Sequence, residues 1–127
     1  VYAVQPGGVF RYLAGRHAGE RVSGEDPRAR LSDAALAQRA VADAPLVIVI
    51  TGVAERTRAR YGDRAERYVQ MEAGHAAQNV HLQAVALGLG SVPIGAFDDE
   101  AVARILGLPP NERPLYLIPV GVPEERE

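Results

Sequence analysis

The stretch EAGHAAQNVHLQAVALGLGSVPIGAF, from Glu72 to Phe97, joins a helical pattern directly to a short irregular loop. The helical pattern begins upstream at Asp63, and apolar residues recur in it at spacings of three and four. The stripe consists of Val69, Ala73, Ala76, Val80, Ala84 and Leu87. Because many of these residues are alanine, the pattern predicts a long buried or dimer-facing helix that Gly88 and Gly90 end.

The loop after the glycines reads Ser91-Val92-Pro93-Ile94-Gly95-Ala96. Proline fixes φ and removes a donor, whereas Gly95 permits close backbone approach. Such a loop can present amide N–H groups to the acceptor edge of a ring, with Ile94 packed on the face of that ring. An ordinary buried crossover is the alternative interpretation, and these residues leave both open.

The flanking segments predict an α+β domain with helices packed on a sheet. A continuous β-branched run, Leu46 to Thr51, is typical of a central strand that is buried on both faces. Ser32 has the residue type of a helix N-cap, and so does Asp98. The predicted elements in order are a hairpin of strands 1–5 and 9–13, a loop 14–30, a helix 32–41, a strand 46–51, helical segments 54–67 and 63–87 with a break at Gly62-Asp63, a helix 99–106 and a strand 115–120.

Composition narrows the chemistry. The chain has 127 residues, no cysteine, only arginine as a long basic side chain, and a net charge of -2. Thiol chemistry and lysine Schiff bases are therefore excluded, and the charge gives no basic field for nucleic acid or an anionic membrane. We expect a single domain over residues 1–127, in the cytoplasm, with no nucleic-acid or membrane partner.

Two motifs suggest chemistry that their surroundings do not support. Glu72-x-x-His75 matches half of a carboxylate-bridged di-metal site, but the second Glu-x-x-His is missing, so we predict no metal. We prefer the alternative that Glu72, His75 and Asn79 form a polar stripe at helical spacing, which hydrogen-bonds neighbouring loops or a second subunit. Gly88-x-Gly90 ends a helix rather than opening one, which favours a helix C-cap over a dinucleotide fingerprint.

Two further groups of residues do not by themselves specify a function. Ser91, His75 and Asp98 are the residue types of a hydrolytic triad, but no nucleophile elbow surrounds the serine, and we predict no catalytic side chain. The arginine run is typical of a solvated helix face, with a phosphate or carboxylate contact on a partner as the alternative. It comprises Arg56, Arg58, Arg60, Arg64 and Arg67.

Four segments together resemble the nitroreductase superfamily, and within it the SagB-type dehydrogenase branch, which includes oxidases of azoline-containing peptides. The segments are Arg60-Tyr61-Gly62-Asp63-Arg64, Glu72-Ala73-Gly74-His75 with Gln78-Asn79, Gly88 to Phe97, and Pro114 to Gly121. The resemblance implies an α+β, nitroreductase-like fold with a mostly antiparallel sheet. It also implies a homodimeric FMN flavoprotein that acts as an oxidoreductase between NAD(P)H and a small-molecule acceptor.

The resemblance also assigns site residues. Pro93, Ile94, Gly95 and Ala96 match the family loop that lies on the flavin, with a backbone N–H near Gly95 or Ala96 facing flavin N5 and O4. The helix with Gly74, Gln78 and Val85 resembles the central dimer helix. A basic phosphate contact of the family falls near Arg126.

This sequence departs from the family pattern in two respects. The arginine-rich opening motif that grips the flavin phosphate has no counterpart here, so we expect the domain to be incomplete at its N-terminus and FMN affinity to be reduced or lost. A flavin-free dimeric binding or scaffold remnant is the alternative function. Arg60 also stands where azoline oxidases carry lysine, and arginine hardly deprotonates, which argues against azoline oxidation.

Overall fold

The computed structural model describes residues 1–124 of the chain. Three strands precede the first α-helix, and strands and α-helices are interspersed after it. The strands are β1 (Tyr2–Gln5), β2 (Gly8–Leu13), β3 (Ala18–Ser23), β4 (Leu46–Gly52), β5 (Gly90–Ser91) and β6 (Arg113–Gly121). The helices are α1 (Arg28–Ala34), α2 (Arg39–Asp43), α3 (Ala54–Tyr61), α4 (Ala65–Ala86) and α5 (Asp99–Leu106).

The strands form one six-stranded sheet in the order β3-β2-β1-β4-β6-β5, and every neighbouring pair is antiparallel. β1 and β2 make the predicted hairpin, with Gln5 opposite Gly8. β4 pairs with β6 from Leu46 opposite Val120 to Gly52 opposite Arg113, which makes it the central strand that its β-branched sequence predicts. The prediction of an α+β domain with helices on a mostly antiparallel sheet is confirmed.

Each face of the sheet carries its own hydrophobic core. Val47, Val49 and Leu117 point to the face that α1, α2 and α5 cover. Ile118 and Val120 point to the opposite face, where α4 packs across β4, β6 and β5. Alternate residues of each strand face opposite sides, so the continuous apolar runs of β4 and β6 fill both cores. Within residues 1–124, no helix combines the length and hydropathy that a bilayer-spanning segment needs.

α4 is the longest helix, at 22 residues, and the alanine stripe explains how it packs. Ala73, Ala77 and Ala84 are buried against the sheet, because small side chains let the helix axis come close to the strands. Gly88, at φ 70°, follows the end of the helix as predicted. Leu87 was wrongly placed in the stripe, since it caps the helix and is 64% exposed.

The segment between β2 and β4 differs most from the prediction. Residues 14–30 are not a loop, because they contain β3 and the start of α1. β3 was not predicted because nearly all of it is exposed, which leaves no apolar alternation in its sequence. Ser32 is not an N-cap either. It lies buried inside α1, and its hydroxyl donates to the carbonyl oxygen of Gln38 at 2.9 Å.

α1 and α2 are separate helices where one was predicted. Leu36 and Ala37 lie between them with φ of 58° and 55°, in the left-handed region that glycine normally occupies. The chain therefore reverses tightly at these positions. This turn brings Ala34 and Gln38 against the loop that the sequence marks as a candidate ligand site.

Candidate functional site

The loop from Val92 to Phe97 runs along the edge of β6 and is anchored at its centre by Ile94. The Ile94 N–H donates to the Leu117 carbonyl at 2.8 Å, and the Leu117 N–H donates back at 3.0 Å. The Ile94 side chain is 4% exposed and belongs to the core beneath α1, α2 and α5. Its side chain therefore anchors the loop in the core rather than packing on the face of a ring, and a backbone contact of Ile94 with a cofactor stays a prediction.

The turn between α1 and α2 holds the far end of this loop. The Asp98 N–H donates to the Ala34 carbonyl at 2.8 Å, and Gln38 Nε2 lies 3.4 Å from the Ala96 carbonyl oxygen. The same Gln38 amide donates to the Ala35 carbonyl at 2.9 Å, which fixes its side chain. Sequence reasoning missed Gln38 because its contact with the loop spans 58 positions and has no local signature.

Between these anchors the loop offers free backbone donors. Pro93, Gly95 and Ala96 are all exposed, and no acceptor within residues 1–124 takes a hydrogen bond from the N–H groups of Gly95 and Ala96. A Cβ built on Gly95 would meet only Tyr116, at 4.0 Å, so the space around the backbone is open. Adjacent, immobilised donors of this kind fit the acceptor edge of a planar ring.

A side-chain contact ties the start of the loop to α4. His81 Nδ1 lies 2.6 Å from Ser91 Oγ, and the bond links the helix to β5. His81 was not singled out from the sequence, where one histidine in a long helix carries no signal. The triad considered from the sequence is not assembled, because Ser91 contacts His81 rather than His75, and Asp98 caps α5 through the Ala101 N–H at 2.9 Å.

The other candidate groups lie on exposed helix surfaces. Glu72 and His75 are both exposed on α4, and residues 1–124 contain no cluster of three potential ligands for a metal ion. All five arginines of the run around α3 are exposed as well. Arg58 pairs with Glu66 at 3.1 Å, and the guanidinium of Arg60 lies over the Tyr61 ring at 5.6 Å. This agrees with a solvated face; a contact with a partner stays a prediction.

Arg126, the predicted phosphate contact, lies outside the described residues. Its proposed role therefore stays a prediction. The same holds for the contacts of Pro93, Ile94, Gly95 and Ala96 with a cofactor; Pro93, Gly95 and Ala96 are exposed there.

A cavity of about 980 Å³ lies away from this loop, between the β1–β2 hairpin and the first half of α4. None of its lining residues belongs to the loop. Glu112 lies at its wall, and its carboxylate accepts a hydrogen bond from Thr51 Oγ1 at 2.5 Å. Burial, and to a smaller extent the charge of Glu112, raises the pKa of the Tyr2 phenol above its ordinary value.

Known proteins share this sequence pattern and architecture. The sequence model of the nitroreductase family matches residues 1–122. A nitroreductase-family protein of Methanocaldococcus jannaschii is 48% identical over 114 residues, which are 90% of this chain and 57% of the relative. The chain thus spans little more than half the length of that relative.

Solved structures agree with the sequence match. A nitroreductase homologue from Anabaena variabilis superposes with a TM-score of 0.89 and 32% identity, over 97% of this chain and 26% of that one. The NADPH:FMN oxidoreductase of Vibrio harveyi, solved with NAD+, gives a TM-score of 0.67 and 28% identity, over 77% of this chain and 46% of that one. The nitroreductase-like fold is confirmed, and the chain belongs to the nitroreductase family.

Proposed function

We propose that this chain carries the ring-binding loop of an FMN-dependent oxidoreductase, which moves electrons from NAD(P)H to a small-molecule acceptor. The observation that carries the proposal is the pair of free, exposed N–H groups at Gly95 and Ala96 on a loop anchored at both ends. Family membership supports it. So does the similar Vibrio harveyi protein, which is an NADPH:FMN oxidoreductase.

The loop fits one edge of the cofactor. FMN, when bound, supplies a carrier that takes up two electrons as hydride and passes them on. The N–H groups of Gly95 and Ala96 would hold its N5 and O4 edge, where negative charge increases on reduction. Fixed donors stabilise that charge without reorganising, so they favour the reduced form. Pro93 and the buried Ile94 restrict the backbone just before these donors, and the Asp98 N–H bond to the Ala34 carbonyl holds the backbone just after them.

Within the family we propose the SagB-type branch, but with an activity other than azoline oxidation. Arg60 lies over the ring of Tyr61, which itself packs edge-on against Tyr68 with ring centroids 5.1 Å apart. A guanidinium cannot remove a proton near neutral pH. We therefore propose simple hydride exchange, which needs no acid or base from the protein, and an acceptor such as a quinone or a nitro compound.

We further propose that a second copy of this chain covers the outer face of α4. This face, turned away from the sheet, consists of Met71, His75, Gln78, Leu82 and Val85. Leu82 is 60% exposed and Val85 is 74% exposed. Both side chains are aliphatic, so this helix face leaves apolar surface in water that a second protein surface can cover. A Cβ on Gly74, at the border of this face, would meet nothing within 4 Å, which leaves room for a second helix to approach. Helix-to-helix contact by the same face in both copies gives a symmetric dimer.

Substitutions at Gly95 test the cofactor proposal. Gly95→Pro removes the N–H, whereas Gly95→Ala keeps it and places its Cβ at an ordinary contact distance from Tyr116. We expect Gly95→Pro to raise the FMN dissociation constant at least about twofold, the lower end for one lost hydrogen bond, with Gly95→Ala close to wild type. Flavin fluorescence titration measures both, and bleaching by NADH tests electron transfer. A wild-type protein that binds no FMN favours the flavin-free scaffold instead.

The dimer is tested separately by light scattering. Val85→Arg places a charge at the C-terminal end of the outer face of α4, and Gln83→Arg adds the same charge on an exposed flank of the same helix. We expect Val85→Arg to dissociate the protein to monomers and Gln83→Arg to leave it dimeric. A wild-type protein that is monomeric at micromolar concentration would contradict this part of the proposal.

A further inference from the structure

We propose that His81 is a positioning residue that fixes the ring-binding loop through its hydrogen bond with Ser91. The two atoms, His81 Nδ1 and Ser91 Oγ, lie 2.6 Å apart. The importance of this contact follows from how weakly the backbone alone holds β5. The consequence for FMN rests on the proposed function, but the positioning itself does not.

β5 is a two-residue strand at the edge of the sheet, and its pairing with β6 is incomplete. Its register, Gly90 opposite Gly121 and Ser91 opposite Val120, places Val92 opposite Pro119. The Val92 N–H donates to the Pro119 carbonyl at 3.3 Å. In an antiparallel pair of this type both residues normally exchange N–H···O bonds, but proline has no N–H to return. One bond of the ladder is therefore lost just before the loop.

The side chain of Ser91 lies where it can compensate for that loss. Ser91 is paired with Val120, which faces α4, so its hydroxyl points toward the helix as well. His81 is on α4 opposite this position, and its imidazole is partly buried. The resulting bond crosses from helix to strand directly beside the missing ladder bond. It holds the start of the loop, as Ile94 holds the middle and Gln38 the end.

A second observation restricts the partners of His81. Its Nε2 atom is buried and has no hydrogen-bond partner within residues 1–124. A buried polar atom without a partner is costly, so packing alone would favour an apolar side chain here. Nδ1 carries all of the polar bonding that the structure gives this imidazole. The bond to Ser91 is thus the physical reason for a histidine at this position.

Hydrogen exchange in the absence of flavin tests the inference directly. Ser91→Ala removes the bond with minimal change in volume, and His81→Leu removes it from the other side. We expect each to accelerate exchange of the Ile94 and Leu117 amides about two- to tenfold, which corresponds to one net hydrogen bond. The Val102 amide, bonded to the Asp98 carbonyl in α5, should not change. The double variant should be no faster than the single variants.

Rescue separates positioning from simple packing. His81→Asn places an amide near the position of Nδ1, and an amide can donate or accept, so exchange should return toward the wild-type rate. His81→Gln places its amide nearer the position of Nε2 and should not rescue. Unchanged Ile94 exchange in Ser91→Ala, or equal behaviour of the Asn and Gln variants, would overturn the inference.

The flavin measurement then links the bond to the proposed function. If wild type binds FMN, Ser91→Ala should raise the dissociation constant by a factor similar to the change in Ile94 exchange. An unchanged dissociation constant despite faster exchange would overturn the link to the cofactor. If wild type binds no FMN, the proposed function fails, and the exchange data alone decide whether His81 positions the loop.

Discussion

Replacing Ala37 by glycine should stabilise this protein, although glycine usually destabilises. Ala37 has a φ of 55°, and the preceding Leu36 has a φ of 58°. In this region the Cβ of an L-residue crowds its own backbone, at a cost of about 1–2 kcal/mol per residue. Glycine has no Cβ and adopts the same conformation without that cost.

The expected change in the free energy of unfolding is the difference between two opposing contributions. Relief of the left-handed strain favours Ala37→Gly, while the greater freedom of glycine in the unfolded chain offsets about 0.4–1 kcal/mol. Ala37 is exposed, and its N–H donates to the Ser32 carbonyl at 2.9 Å, a bond that glycine keeps. The net gain in unfolding free energy should be about 0.5–1 kcal/mol, or a rise in Tm of about 2–5 °C.

Thermal and urea unfolding, followed by circular dichroism at one protein concentration, measure this change. Ala40→Gly is the matched control, because Ala40 is also exposed, lies three positions later in α2 and has no positive φ. Glycine in an ordinary helical position should lower stability by about 0.5–1 kcal/mol. The two substitutions should therefore shift Tm in opposite directions. A loss of stability in both would refute the assignment of left-handed strain to the turn between α1 and α2.

Three further substitutions test other parts of the fold. Asp98→Ala removes the N-cap of α5 and should cost about 1 kcal/mol in urea unfolding. Gly52→Ala would place a Cβ 2.6 Å from Val69 Cγ1, so overpacking between β4 and α4 should cost about 1–3 kcal/mol. The pKa of Asp26 is lowered, chiefly by hydrogen bonds from the arginine two residues later. A lowered folded-state pKa gives stability that is present above the unfolded value and lost as pH falls through the folded one. Asp26→Asn should therefore lower Tm at neutral pH and have no effect in strong acid.

Matched controls separate these causes from general damage. Asp99→Ala changes the next residue of the same helix, where the carboxylate does not cap the helix, and should cost less than Asp98→Ala. Gly15→Ala adds a Cβ that meets nothing within 4 Å and should be tolerated. If Asp98→Ala and Asp99→Ala lower the free energy of unfolding equally, capping is not the cause. If Gly52→Ala and Gly15→Ala lower it equally, overpacking is not the cause. A difference between Asp26→Asn and wild type that persists in strong acid would exclude the ion pair as its cause.

Local signals account for the elements that the sequence predicted correctly. α5 begins and ends at its predicted residues because Asp98 accepts from the Ala101 N–H and Gly107 takes up a φ of 65°. β4 is evident from its apolar, β-branched run. β3 is exposed and exists through its pairing with β2, so its sequence lacks the pattern that burial would impose. Ser32 misled the prediction because a serine within a helix can donate to a nearby carbonyl as readily as a serine at the N-terminus can cap the helix.

The candidate site was predictable in part for the same reason. Pro93 and Gly95 mark the loop, because their backbone properties do not depend on distant partners. Gln38 and His81 hold the loop from other elements, and neither contact has a local pattern in the sequence. The burial of the Ile94 side chain was not predictable, because an isoleucine next to glycine suits a ligand surface and a core equally well, and only the register with Leu117 decides where the side chain lies.

The two edges of the sheet have a consequence for solubility during folding. β5 is only two residues long, and the N–H that Pro93 lacks is the one that would face outward, away from β6. β3, the other edge, is exposed and carries two adjacent charged residues, Glu20 and Arg21. An incoming strand from another molecule finds few donors on one side and charges on the other. Both features disfavour cross-molecular β-pairing and amyloid-like growth.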